Sequence, residues 1–171
     1  MSGLPGSGKT TLGRGLGQVL DLPVFDKDEI LEAAFGDGTP GSSTERSRLS
    51  RCADVTFREL ALASSGAVLV SFWRRRELST ESGTPTDWLE GLPNVVEVYC
   101  VCSPSTAAAR FVARTRHPGH GDATKARAHV AEQFALLHRV GPLGIGRIVE
   151  INTESAVDVE AIAAAVADRQ S

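Results

Sequence analysis

The sequence predicts an α/β fold: a parallel β-sheet flanked by helices. Three observations carry that expectation. Apolar runs alternate with helix-period segments along the whole 171 residues. Runs such as AVLVSFW at 67–73 are apolar without a break, as strands covered on both faces are, rather than alternating with polar residues. A glycine-rich turn also opens the first helical segment. Strands that alternate with helices imply right-handed crossovers between parallel neighbours. The length suits one globular unit over residues 1–171 with a single buried core.

Each element has its own signal. Residues 10–20 read as a helix with Leu12, Leu16, Val19 and Leu20 on the buried side. Gly13, Gly15 and Gly17 each cost that helix about 1 kcal/mol relative to alanine, so close packing is expected at them. Residues 22–26 form a short strand, and 28–35 a helix that ends in GDGTPG. Ser42 with Glu45 resembles a capping box, opening a long helix with Leu49, Ala53, Phe57, Leu60 and Ala61 along one stripe. After the strand at 67–73 come three arginines, Arg74, Arg75 and Arg76, and then weakly patterned loop and short helix over 77–94. Residues 95–102 are the next strand. Ser103 and Pro104 supply an N-cap and a first-turn proline for a helix to about Thr115. The segment RHPGHGD breaks the pattern before a helix with Val130, Phe134 and Leu137; a strand at 147–152 and a helix at 157–167 follow.

Composition narrows the partners. Eighteen basic against twenty-one acidic residues leave a net charge of −3, which gives no electrostatic reason to expect long nucleic acid or an anionic membrane. No apolar run is long enough to span a bilayer, and there is no signal-peptide pattern. Three cysteines, Cys52, Cys100 and Cys102, suit a reducing, cytoplasmic setting. Cys100 and Cys102, two apart in an apolar run, are expected in the core rather than on a metal.

The chemistry is densest at the start. Glycines at 3, 6 and 8 let successive N–H groups turn inward at a helix start, where free donors and the helix dipole favour an anion. Gly3, Leu4, Pro5, Gly6, Ser7, Gly8, Lys9 and Thr10 match the pattern in which the lysine reaches nucleotide β- and γ-phosphates and the hydroxyl ligates Mg²⁺. With Thr11 these residues are the candidate nucleotide site, and ATP and Mg²⁺ are the expected cofactors. Asp26 and Asp28 lie just past a strand, where ligands of open α/β sheets bind. Phosphorylation of a hydroxyl needs a carboxylate to take its proton, which favours Asp28 in that role over a cap of the following helix. The three arginines at 74–76 suit either a polar substrate or a solvated turn.

The loop, the segment LPVFDKDEIL and the arginine-rich ARFVARTRHPGHGDATKARAH together resemble the small P-loop kinases. These include shikimate and gluconate kinases, chloramphenicol phosphotransferase, zeta-toxin-like kinases and 5′-hydroxyl polynucleotide kinases. The likeness follows the order of elements through nearly the whole chain, and its specific part is the Walker A loop. It implies the P-loop NTPase fold, with the strand that feeds the loop at the centre of the sheet. Only Met1 and Ser2 precede Gly3, so that strand looks missing here and is expected upstream of Met1. The resemblance also implies Asp28 as the substrate-facing base and Asp26 as a carboxylate near Mg²⁺ beside Thr10. It further implies a lid at about 114–126, where Arg114 and Arg116, and less so Arg110 and Arg127, act on the transferring phosphoryl group. Asn152, Thr153 and Glu154 match the adenine-side loop. Ser71 departs from the family, many of whose members carry an aspartate at the end of that strand.

The expectation is an ATP-dependent kinase, with Lys9, Asp28, Arg114 and Arg116 in catalytic roles, that moves the γ-phosphate to a hydroxyl of a small molecule. A polynucleotide 5′-hydroxyl kinase is the alternative that low basic charge disfavours. A P-loop switch without a small-molecule acceptor is a third, and Ser71 counts mildly against it.

Overall fold

The sequence's alternation becomes five strands and six α-helices among the residues that the computed structural model describes, 1–77, 82–115, 117–120 and 127–168, with the backbone alone at 127–129. The first half runs β1 (Ser2–Gly3), α1 (Lys9–Leu20), β2 (Val24–Asp26), α2 (Lys27–Phe35), α3 (Ser43–Ala63) and β3 (Val68–Val70). The second runs β4 (Val96–Val101), α4 (Pro104–Ala113), α5 (Arg127–Val140), β5 (Arg147–Asn152) and α6 (Val159–Ala167). Every pairing is parallel, as the continuous apolar runs predict.

Two ladders carry the sheet, β2–β3 and β1–β4–β5. The strand expected to be missing before the loop is present as the two-residue β1, which pairs Ser2 with Tyr99 and Gly3 with Cys100. On its other side the Met1 ammonium donates to the Leu69 carbonyl at 2.7 Å, and the Trp73 indole donates to the Met1 carbonyl at 2.8 Å. The loop therefore does hang from a strand between β3 and β4, but a very short one. β3 is also shorter than its apolar run: after Val70 the chain leaves the ladder, and Trp73 bridges to Thr84 instead.

Caps set the helix boundaries. Ser42 accepts from the Glu45 N–H at 3.1 Å, but the Glu45 carboxylate turns to the Gly41 N–H, so only half of the expected capping box forms. Ser103 accepts from the Thr106 N–H with Pro104 in the first turn, as expected. At α2 the cap is Asp26, not Asp28: its carboxylate accepts from the Asp28 N–H at 2.9 Å.

The core lies on both faces of the sheet. Leu12 and Leu16 of α1 pack with Val68, Val70, Val98, Cys100 and Ile162 on one face. On the other, Phe57, Trp73 and Leu89 form a cluster, and Leu4, Cys102, Phe111, Val130 and Phe134 another. Cys100 and Cys102 are both buried, as expected, but they join different clusters, because Cys102 lies past the end of β4.

The glycines of α1 sit where neighbours leave no room for a side chain. A Cβ at Gly17 would lie 2.2 Å from a Val24 methyl and 3.0 Å from the Leu22 carbonyl, and one at Gly13 2.8 Å from a Val70 methyl. We predict that Gly17→Ala destabilises the protein by about 1–3 kcal/mol, because overpacking outweighs the helix gain of about 1 kcal/mol. Urea unfolding checks this, and an unchanged or higher midpoint contradicts it.

Candidate active site

Gly6 and Gly8 hold φ of 83° and 85°, a backbone region that suits glycine. The turn they shape closes through a Ser7 N–H to Leu4 carbonyl bond at 3.0 Å. Gly8 then caps α1 with no side chain to occupy the helix's free N–H groups. Inside the turn the buried Lys9 ammonium donates to the carbonyls of Gly3 and Leu4 at 3.0 and 2.7 Å. The Ser7 hydroxyl is buried and has no partner among the described residues. Free helix N–H groups, an orphaned hydroxyl and a buried cation make a cradle that fits a phosphate chain.

Burial pushes Lys9 down to about 8; the charges of Cys100, Asp28 and Asp26 pull it back up, and that of Arg114 lowers it further. Both aspartates and Arg114 are thus near enough for their charges to act on Lys9. Thr10, on the next residue of α1, donates to Asp26 Oδ2 at 2.8 Å. Burial raises the Asp26 pKa despite that bond and the one from the Asp28 N–H. One hydroxyl beside one carboxylate fits Mg²⁺, which takes few protein ligands and keeps phosphates and water. Among the described residues no group of three or more His, Cys, Asp or Glu gathers as a metal cluster.

Parallel register explains which acid reaches the loop. Asp26 stands level with Val70, and both side chains meet α1, Asp26 at Thr10 and Val70 at Gly13. Ser71, one residue on, turns to the other face. Its hydroxyl lies 2.6 Å from that of Thr84, which donates to Asp54 of α3 at 3.0 Å. Asp54 is 3.5 Å from the Lys27 ammonium, and Lys27 donates to Ser50 at 2.7 Å. The residue between the two candidate aspartates is thus braced to α3, a link that no sequence spacing announces.

Arg114 is the C-cap of α4, and its guanidinium stands 4.9 Å from the centre of the Phe111 ring. Arg110 instead donates to the Thr153 carbonyl at 3.0 Å, which ties α4 to the loop after β5. Thr153 is the nearest residue to the open side of Gly8, and Glu154 accepts from the Ser103 N–H and hydroxyl. The expected adenine-side loop therefore borders the phosphate loop. Arg116 and residues 121–126 of the expected lid lie outside the described residues, as does the Arg127 side chain. Of the arginines after β3, Arg76 pairs with Glu90 at 2.7 Å in solvent, whereas Arg75 is buried.

The turn at His117 and His120 does more than its Pro-Gly centre suggests. His117 stacks on Phe35 with ring centres 5.3 Å apart and donates to the Gly36 carbonyl at 3.0 Å. His120 is buried, with Nε2 2.8 Å from Glu32, and Arg46 donates to the Gly119 carbonyl. Residues 117–120 are thereby fastened across the end of α2 and the start of α3.

A family model described as an AAA domain, AAA_33, matches residues 1–139. The chain belongs to that family. Its curated relatives place it more closely among small P-loop kinases. A Burkholderia thailandensis protein named shikimate kinase is 36% identical over 88 residues, 47% of this chain and 48% of that protein. A Corynebacterium glutamicum shikimate kinase is 38% identical over 73 residues, 39% of this chain and 40% of that one. This P-loop kinase relative spans about half the length of the curated proteins it matches. In fold it is similar to a candidate kinase from Chloroflexus aurantiacus, with a TM-score of 0.70, 23% identity and 96% and 94% of the two chains covered. Shikimate kinase from Acinetobacter baumannii, solved with shikimate, superposes at a TM-score of 0.52 and 18% identity over 96% and 87%. No helix among the described residues is long and apolar enough to cross a membrane.

The lysine supplies a pH test. Phosphate beside Lys9 favours its charged form, so nucleotide binding should draw a proton between pH 8 and the ordinary lysine value of about 10.4, and none near pH 6.5. Calorimetry of Mg-ADP binding at about pH 9, in buffers of different ionisation enthalpy, should show that uptake in the parent and not in Lys9→Met. A buffer-independent heat in the parent contradicts it.

Proposed function

We propose that this protein is an ATP-dependent kinase that transfers the γ-phosphate to a hydroxyl of a small molecule. One observation carries the reading: the buried Lys9 ammonium, held by the carbonyls of its own turn, and the Thr10–Asp26 pair stand together at the edge where the loop opens α1. A phosphate cradle, a metal-suited pair and a carboxylate for a proton are what phosphoryl transfer needs, since catalysis there is mostly positioning and charge stabilisation.

In this reading the turn and helix start at residues 3–11 hold the β- and γ-phosphates, through the free N–H groups that open α1 and the Lys9 ammonium. Thr10 and Asp26 hold Mg²⁺, which when bound neutralises charge on the phosphate oxygens. Asp28 is the base. It is half-buried and stands two residues after Asp26, the cap of α2, in the first turn of that helix. Its carboxylate takes the proton of the acceptor hydroxyl as that oxygen forms its bond to phosphorus and the bond to ADP breaks. Arg114, exposed beside Phe111, stabilises the equatorial oxygens, with Arg116 as the second lid arginine. The pair α2–α3 and the turn at 117–120 wall the acceptor side.

Shikimate heads the acceptor panel, because the curated relatives bear that name; hydroxylated metabolites, antibiotics and 5′-hydroxyl oligonucleotides complete it. ATP-dependent phosphorylation of a small hydroxyl compound is the expected result, and phosphorylation of the oligonucleotide alone overturns it. Against the acceptor found, Asp28→Asn should keep Mg-ATP binding and lose about 10²-fold or more in turnover, the scale of general base catalysis. Lys9→Ala should lose both transfer and tight nucleotide binding. Near-normal turnover in Asp28→Asn leaves that residue no catalytic part, and in Lys9→Ala removes the kinase reading.

A further inference from the structure

Helix α3 has two sides, and the fold uses one of them. On the inward side Phe57 packs with Trp73 and Leu89, Ser50 and Asp54 hold Lys27, and Arg46 holds the Gly119 carbonyl. Turned away are Arg48, Arg51, Val55, Arg58 and Leu62, all of them exposed. These five follow one another at alternating steps of three and four residues, the spacing of a coiled-coil seam, and so lie along one stripe of the helix. Val55 and Leu62 are 56% and 51% exposed. Arg48, Arg51 and Arg58 make no ion pair among the described residues, whereas the exposed Arg14 and Arg76 pair with Glu29 and Glu90. Of the acids on α3, Glu45 accepts from the Gly41 N–H and Asp54 from Thr84, which leaves Glu59 beside the stripe. The chain as a whole carries −3, so this basic stripe stands out from an acidic protein.

We propose that the outward stripe of α3 is a docking surface for an acidic amphipathic helix of a partner protein, lying parallel to α3. Aliphatic side chains of that helix cover Val55 and Leu62, and its carboxylates meet Arg51 and Arg58. Charge selects this occupant. A second copy of α3 laid parallel would set Arg51 against Arg51 and Arg58 against Arg58, and one laid antiparallel would press arginines onto Val55 and Leu62. Either arrangement takes cations out of water with no counter-charge, which costs more than two apolar contacts return. Nucleic acid supplies negative charge too, but Val55 and Leu62 offer its phosphates nothing and Glu59 repels them. A helix has the matching period. Three heptads span about 30 Å, the length that 21 residues give α3 at a rise of about 1.5 Å each. None of this depends on the phosphoryl-transfer reading.

With Arg48, Val55 and Leu62 as a positions and Arg51 and Arg58 as d positions, the probe is a synthetic peptide of three heptads. It carries leucine at a, glutamate at d, e and g, and alanine or glutamine elsewhere; the glutamates at d keep it from pairing with itself. Binding is followed by fluorescence anisotropy at about 0.15 M salt, where weak long-range attraction is screened. Its place is read from alkylation of Cys52, which borders the stripe and is exposed, while Cys100 and Cys102 are buried. The ordered peptide should bind about tenfold or more tightly than a peptide of the same residues in scrambled order, and should slow alkylation of Cys52. The paired substitution Arg51→Glu with Arg58→Glu should reverse the preference toward the same heptads with lysine in place of glutamate, a gain that an unfolded chain cannot produce. Equal binding of ordered and scrambled peptides, binding that leaves Cys52 unprotected, or no binding of the ordered peptide overturns the proposal. Tighter binding of a single-stranded oligonucleotide of equal charge overturns it as well, since the stripe would then be a phosphate-binding surface.

Discussion

The Lys9 ammonium, bound to two carbonyls of its own turn, is the contact around which the rest of the site is arranged. It draws the chain between Gly3 and Gly8 into a ring, which leaves the first N–H groups of α1 facing the same space as the cation. Such a buried charge is tolerated because carbonyl dipoles and nearby carboxylates face it. The ring hangs from β1, and β1 is held by β4 on one side and by single hydrogen bonds from Met1 and Trp73 on the other. The geometry of the phosphate cradle thus depends on how firmly two residues are seated in the sheet.

Sheet register then decides which acid serves the cradle. Parallel strands place level residues on the same face, so Asp26 follows Val70 toward α1 while Ser71 turns toward α3. The departure at Ser71 consequently takes nothing from the pair made by Thr10 and Asp26. Instead Ser71 begins a polar chain through Thr84 and Asp54 to Lys27, and Lys27 sits between the two aspartates in the sequence. A lysine and an aspartate mostly out of water hold their places strongly, because breaking such a pair leaves an uncompensated charge. The start of α2 is accordingly tied to α3 and the end of β3, and Asp28 rides on that tie.

Local signals carried much of this. The glycine loop, the caps at Ser42 and Ser103 and the uninterrupted apolar strands are written in neighbouring residues, and the elements they predict are present. The apolar run at 67–73 overstated β3, because hydrophobicity marks burial and not ladder pairing; Phe72 and Trp73 are apolar but follow Thr84 instead. Arg110 and Arg114 stand four residues apart, a helical spacing, but α4 ends at Ala113 and leaves Arg114 outside it as the C-cap. Contacts such as His120 with Glu32, or Lys27 with Asp54, join residues far apart in the chain, and no periodicity records them.

The same distinction explains why the phosphate donor is readable and the acceptor is not. A phosphate chain is recognised mainly by backbone N–H groups, whose arrangement a run of glycines announces. An acceptor is recognised by side chains, and on the proposed acceptor side these come from α2, α3 and residues 117–120, which meet through contacts between residues far apart in the chain, such as Phe35 with His117, Glu32 with His120 and Arg46 with Gly119. Burial at this edge lowers Lys9 and raises Asp26, so both sit where a charge is poorly screened. In such a site small changes in the seating of α2 against α3 would alter how Asp28, the proposed base, meets a hydroxyl, while the phosphate cradle, built on β1 and α1, would stay as it is. Acceptor choice can therefore diverge among proteins that share this loop.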